Sequence, residues 1–181
     1  MKNKLIPIYR EKELYTFFYD PDKNHLYRFQ HRKKSSGMNF FLLLAVLYGS
    51  RYADRIYQSY KGPLVDVVLF TIVLVISYFM AIYFYEKFYI QEKSPKIFLG
   101  KESLENYAAK GISQLRTELY LGATLSLLLT IGGFVLFFVF SHFELLVIGC
   151  LGSLAIFIFL LMRPFTRIKI LRQFQKGEIE L

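Results

Sequence analysis

Arg51, Asp54 and Arg55 stand together just behind an apolar run, and Asp66 follows at the start of the next one. Arg51 and Asp54 are three apart and Arg51 and Arg55 four apart, spacings that share a helix face. Arg51 comes 13 residues after Met38, about 20 Å along a helix axis, near the far edge of a bilayer core of about 30 Å. Charge held at that depth is costly and usually has a use. Such a set would bind an ion, a substrate or a partner helix. Asp66, one turn into the next helix, lies at a similar depth and is sterically able to pair with Arg51 or Arg55. The competing reading is that the first helix ends near Ser50 and these charges are solvated.

No other grouping suggests chemistry. Cys150 is the only cysteine and sits inside an apolar run, where it reads as a small packing residue. His25, His31 and His142 are scattered without metal-ligand spacing. The apolar-run serines have no histidine or buried aspartate at matching depth to serve as a base. There is no phosphate-binding loop, dinucleotide fingerprint or zinc motif. The expectation is a protein that is not an enzyme, with no catalytic residue, cofactor or metal. The net charge of +9 would suit nucleic acid in another chain. Here the Lys and Arg residues flank apolar runs, so anchoring and topology explain them and no nucleic-acid partner is expected.

Those runs set the architecture. Leu119 to Phe140 is 22 residues without a charge, Val67 to Tyr85 is 19, and Leu145 to Met162 is 18. A fourth, Met38 to Ser50, has 13 and then meets Arg51. About 20 residues at about 1.5 Å each cross a bilayer core. With 54% hydrophobic residues gathered into blocks, the solvent is lipid. The first run begins behind nine Lys/Arg with no small-residue cleavage site after it, unlike a cleaved signal peptide.

The flanking segments add detail. Leu14 to Tyr19 and Leu26 to Gln30 are aromatic-rich and β-prone, and Asp20-Pro21-Asp22-Lys23-Asn24-His25 between them is a turn sequence. A lone hairpin is marginal in water, so it should lean on the membrane or on a later cytoplasmic segment. His31 to Lys34 form a basic collar. Gly62-Pro63 separates the first two helices. Lys101 to Lys110 reads as a short amphipathic helix with Leu104, Tyr107 and Ala108 on one side. Ser141 and Glu144 have capping-box spacing, and a link this short makes its two helices antiparallel neighbours. Gly122 with Ser126, and Gly149 with Ser153, are small pairs that let helix backbones approach, within the hairpin or in a homo-oligomer. Gly132-Gly133 would permit a bend. In the tail, Phe165, Ile168, Leu171 and Phe174 recur at helical spacing among Arg167, Lys169, Arg172 and Lys176. That is the pattern of a basic helix lying in the headgroup layer, with a solvated charged tail as the alternative.

The fold expected is therefore an all-α integral membrane protein: a four-transmembrane-helix bundle with a small N-terminal cytoplasmic β-hairpin and a C-terminal interfacial helix. Its segments are residues 1–36 (the N-terminal hairpin), 37–62 (helix one and outer turn), 63–86 (helix two), 87–116 (a cytoplasmic loop), 117–140 (helix three), 141–163 (helix four) and 164–181 (the basic tail). The N-terminal segment, the middle loop and the tail hold most of the Lys and Arg, and the link from Ser141 to Glu144 holds none. The positive-inside rule then puts both termini in the cytoplasm of a multi-pass cell-membrane protein.

The stretch YREKELYTFFYDPDKNHLYRFQHRKK, from Tyr9, and the apolar run behind it resemble small polytopic membrane proteins of Gram-positive bacteria. In style they are similar to the tandem five-transmembrane family, although this chain shows four apolar runs. The resemblance covers mainly residues 9 to 50. It implies a non-enzymatic protein that binds a partner at the membrane, specifically an immunity protein against a membrane-active toxin or bacteriocin. No family site residues carry over. The partners expected are the lipid bilayer and a protein, either a toxin or a transporter subunit. The alternatives are an accessory transporter subunit, docking through the hairpin and middle loop, and a small transporter or channel acting through Arg51, Asp54 and Asp66.

Overall fold

The computed structural model describes residues 5–11, 14–30, 37–89 and 96–179, without the side chains of 37–47 and 88–89. The basic collar at His31 to Lys34 lies outside these residues. In chain order the elements are β1 (Ile6–Glu11), β2 (Tyr15–Asp20), β3 (His25–Gln30), α1 (Gly37–Tyr60), α2 (Pro63–Tyr89), β4 (Lys96–Ile97), α3 (Lys101–Thr117), a π-helical segment (Glu118–Ala123), α4 (Thr124–Phe140), α5 (Phe143–Leu161) and α6 (Pro164–Gln175). The chain is mostly helical, with a small antiparallel sheet. Three helical stretches are long and apolar enough to cross a membrane: Pro63–Lys87, Lys101–Phe140 and Phe143–Gln175. α1, with Arg51, Asp54 and Arg55 in its second half, is not among them.

Two compact units divide the chain. The first comprises Met1–Arg32, Phe84–Gly122 and Phe159–Leu181; the second comprises Lys33–Tyr83 and Ala123–Ile158.

The first unit is a four-stranded sheet, ordered β1-β2-β3-β4, with α3 and α6. The expected hairpin is there as β2 and β3, paired from Tyr15↔Gln30 to Asp20↔His25. Its turn works as the residue types require. Asp20 Oδ1 accepts from the Asp22 N–H at 3.1 Å. Asn24 takes φ +52, a left-handed conformation that asparagine tolerates, and its side-chain oxygen accepts from the Tyr19 hydroxyl at 2.8 Å. The sheet exceeds the expectation by two strands. β1 alternates weakly, contains Pro7 and is bulged between Pro7 and Tyr9, so its sequence does not read as a strand. β4 has only two residues.

Ile6, Ile8, Phe17, Tyr19 and Leu26 form one core with Leu104, Ala108 and Leu115 of α3 and with Ile170, Leu171 and Phe174 of α6. This corrects the reading of the tail. α6 is helical, but Leu171 and Phe174 are buried in protein and Ile168 packs against the same core, which leaves only Phe165 of the four open. An apolar face already covered by α3 and β1 is not free to enter a headgroup layer. The Lys101 helix is also longer than expected, running to Thr117 and burying Leu104, Ala108, Gly111 and Leu115. It continues through the π-helical segment into α4, so residues 87–116 are not simply a loop.

In the second unit α4 and α5 meet backbone to backbone. A Cβ on Gly133 would stand 2.4 Å from the Gly149 N, and one on Gly152 would stand 2.6 Å from the Thr130 N. The close approach expected of Gly149 and Ser153 is therefore present, but its partners on α4 are Ser126, Thr130 and Gly133. Gly122 lies in the first unit, where its missing Cβ makes room for the Phe159 ring. Of the Gly132-Gly133 pair, Gly133 faces α5 and nothing stands within 4 Å of a Cβ on Gly132.

Candidate functional site

The polar residues of the second unit gather where α1 ends, α2 begins and α4 turns into α5. Proline at the start of α2 and the apolar run behind it place Asp66 in that helix's first turn. On α1, residues 50, 53, 54, 57 and 58 turn inward and 48, 51, 52, 55, 56, 59 and 60 outward, a helical division of one element into two faces.

The inner face is a clasp. The buried Tyr57 donates its hydroxyl to Asp66 Oδ1 at 2.5 Å, and its ring lies against Phe137 and Phe143. Asp54 Oδ1 accepts from the Phe143 N–H at 2.7 Å, and its other oxygen is 3.9 Å from His142 Nδ1. Gln58 Nε2 donates to the Ser141 carbonyl at 2.7 Å. Asp54 thus does for α5 what a local N-cap would do: it satisfies an end N–H and places negative charge at the positive end of the helix dipole. The expected capping box from Ser141 is not formed. Ser141 instead closes α4 in a left-handed conformation, φ +54 and ψ +43, with its N–H on the Phe137 carbonyl at 2.8 Å. The Asp54 carboxylate fills the role from another helix.

The four residues singled out by sequence therefore divide. Asp54 and Asp66 join the clasp. Arg51 and Arg55 face outward, Arg51 with a 78% exposed side chain 3.7 Å from Glu144 Oε1. The expected pairing of Asp66 with either arginine is not made, because Tyr57 occupies that carboxylate. Tyr52 and Tyr60 are exposed, 69% and 70%, whereas Tyr57 is buried at 5%. Sequence reasoning missed Gln58 and the inward role of Tyr57. Their signal was present in the spacing of 50, 54, 57 and 58 along one face.

A second polar centre lies in the first unit. Arg167 is 3% exposed; its Nη1 donates to Glu118 Oε2 at 2.8 Å and its Nη2 reaches the Ile8 carbonyl at 3.4 Å. Ile8 occupies the β1 bulge, and a Cβ on Gly111 would stand 2.5 Å from the same carbonyl. Together with Arg10 N–H donating to Gln114 Oε1 at 3.0 Å, these contacts cover an edge strand that would otherwise offer unpaired backbone. Nearby phenols are shifted. Burial pushes Tyr9, Tyr15 and Tyr19 above the usual tyrosine range, aided at Tyr9 by a hydrogen bond with Glu11 and at Tyr15 by one with Tyr107.

Among the described residues no three His, Cys, Asp or Glu side chains gather as a metal site would need. Cys150 Sγ lies 3.2 Å from the buried Ser77 hydroxyl, which donates to the Val73 carbonyl at 2.8 Å. Comparison with family models, curated proteins and solved structures returned no match.

Proposed function

We propose that the chain is a non-enzymatic protein of the cell membrane, a four-span helical bundle with α1 as its fourth span and both termini cytoplasmic, that captures a protein partner at the outer face. The partner best suited is a membrane-active peptide toxin, which makes this an immunity protein. With 24 residues, α1 extends about 36 Å at about 1.5 Å per residue, enough to cross. The basic segments alternate with a 141–144 link that carries no Lys or Arg, which supports the orientation.

The observation that carries the reading is the outward face of α1. Tyr48, Tyr52 and Tyr60 are about 70% exposed beside Arg51, Arg55 and the half-exposed Ile56, on a helix whose other face is fixed by the clasp. Tyrosine and arginine on a rigid support are the residues that dominate binding energy at interfaces. They complement a peptide presenting apolar and acidic groups at the membrane edge. Asp54 and Asp66 are bonded within the unit, which weighs against a transport path through them. An accessory transporter subunit is the second reading, favoured by the folded sheet unit with Leu14 and Phe98 exposed.

The test is survival of a sensitive host expressing the chain and challenged with a panel of membrane-active bacteriocins. The wild type should protect against at least one. Arg51→Glu with Arg55→Glu should remove that protection at an unchanged membrane level, and His142→Cys should react with an impermeant maleimide on intact cells. Full protection by the double variant, or a His142→Cys that labels only after lysis, contradicts the proposal.

A further inference from the structure

The tail helix places its apolar side on protein, and this leaves its other side distinctive. Thr166, Lys169, Arg172, Gln175 and Lys176 are exposed, with Arg163 exposed just before the helix. Four of these carry positive charge. Among the described residues the acidic side chain within ion-pair distance of them is Glu178, 3.6 Å from Lys176, and both are solvent-facing. Arg167, the remaining cation of α6, turns inward to Glu118.

Its position along the chain is equally informative. α6 begins one residue after the uncharged run from Leu145 to Met162, at the left-handed Arg163 with φ +50. Within this unit Gly122 lies against Phe159, one residue on each apolar stretch. Phe165, 83% exposed, stands at that end, with Tyr120 and Leu121 exposed at 73% and 69% on the other stretch. An apolar residue at the start of a cationic helix face, next to the ends of two spans, matches a headgroup layer.

We propose that the outward face of α6, Lys169, Arg172 and Lys176 with Arg163, binds anionic phospholipid headgroups of the leaflet next to the sheet unit, with Phe165 as its apolar anchor. The helix is held against protein by Leu171 and Phe174 and meets the membrane through charge. Polybasic clusters of this size beside a span attract anionic lipid and weaken with salt, because phosphate and lysine interact across a screened aqueous layer. The inference rests on the membrane reading and not on any protein partner. Incorporation into the bilayer is scored separately from lipid binding.

The experiment uses the full chain, Cys150→Ser, with a fluorophore on Gln175→Cys, in nanodiscs of phosphatidylcholine with or without phosphatidylglycerol. Headgroup-level quencher lipids should quench the label about tenfold more with phosphatidylglycerol present, and high salt should reverse the gain. Lys169→Glu with Arg172→Glu should remove the gain. The milder Lys169→Gln with Arg172→Gln should reduce it, with circular dichroism unchanged because these side chains are exposed. Equal quenching in the two lipids, or an undiminished gain in both double variants, overturns the proposal. So does a gain suppressed by a short oligonucleotide or polyglutamate at low concentration, which would assign the face to a soluble polyanion.

Discussion

In the sheet unit the apolar core is large; in the helical unit it is limited to Tyr57, Phe134, Phe137 and Leu146, and many large side chains turn outward. Phe17, Leu26, Leu104, Leu171 and Phe174 are all buried within the first. In the second, Ile72, Phe79, Leu128, Val135 and Val139 lie on the surface, while Ser77, Ser126, Gly133, Gly149, Gly152 and Ser153 are inside. Only 11% of the most apolar window of Pro63–Lys87 is buried. A sheet unit built this way is held by removing apolar surface from water. A unit with its apolar surface outside gains nothing from that effect between helices and depends on close backbone approach and interior hydrogen bonds. One chain thus folds in two solvents, and the same substitution should have opposite consequences in each unit.

The sharpest contrast between the units is expected from charge on the helical unit's outer surface. Leu129→Asp, at a partly exposed position in the middle of the uncharged run from Leu119 to Phe140, should cost about 2.5–3.5 kcal/mol of insertion and lower the membrane level of the protein. An exposed position on the sheet unit outside the α6 face, such as Phe98→Asp, should leave its thermal unfolding nearly unchanged. Equal tolerance at both sites would break the contrast.

Next is the buried ion pair. Arg167→Met leaves the part-exposed Glu118 without its partner and the Ile8 carbonyl without a donor, and should cost about 1–3 kcal/mol of sheet-unit stability, measured by denaturant unfolding. The double variant with Glu118→Gln should recover part of it. A single variant as stable as wild type would remove this pair from the reasons the bulged edge strand is held.

Leucine truncation sharpens the comparison further. Leu171→Ala, at a fully buried site, should cost about 2–5 kcal/mol through lost burial and a cavity. Leu128→Ala, 64% exposed, should cost well under about 1 kcal/mol, since lipid takes up the space. Smaller again is Tyr57→Phe, which should cost about 1 kcal/mol by leaving Asp66 short of a donor, read as faster hydrogen exchange at the start of α2.

The smallest effect is alkaline. A phenol raised in the folded state favours folding while protonated. That contribution is complete below about pH 10 and is lost as pH rises through the folded value. Tyr19→Phe should therefore flatten the alkaline decline of sheet-unit stability, with little change at neutral pH.

The helical unit was the more legible in sequence because a long uncharged run leaves no alternative solvent. β2, β3 and their turn were also legible, since Pro21, Asp22 and Asn24 act locally. β1 was not. Pro7 and the bulge erase its alternation, and it is a strand because α3, through Gly111 and Gln114, covers its edge. The tail failed for a similar reason: an amphipathic period shows that a face will be covered but does not say whether lipid or protein covers it. At the candidate site, Asp54 and Asp66 were found through their cost in a membrane, yet their partners Tyr57 and the Phe143 N–H were not. Which side chain meets a distant helix end depends on tertiary placement that no local spacing encodes.

Cysteine accessibility, in a Cys150→Ser chain reconstituted in nanodiscs, measures the two solvents side by side. Phe79→Cys and Leu128→Cys occupy sites 64% exposed in the fold, and Lys110→Cys and Gln175→Cys occupy exposed sites of the sheet unit. An impermeant maleimide should modify Lys110→Cys and Gln175→Cys readily and leave Phe79→Cys and Leu128→Cys unmodified until detergent denaturation. Labelling of Phe79→Cys and Leu128→Cys in the intact nanodisc at the rate of Lys110→Cys would contradict a lipid-facing helical unit.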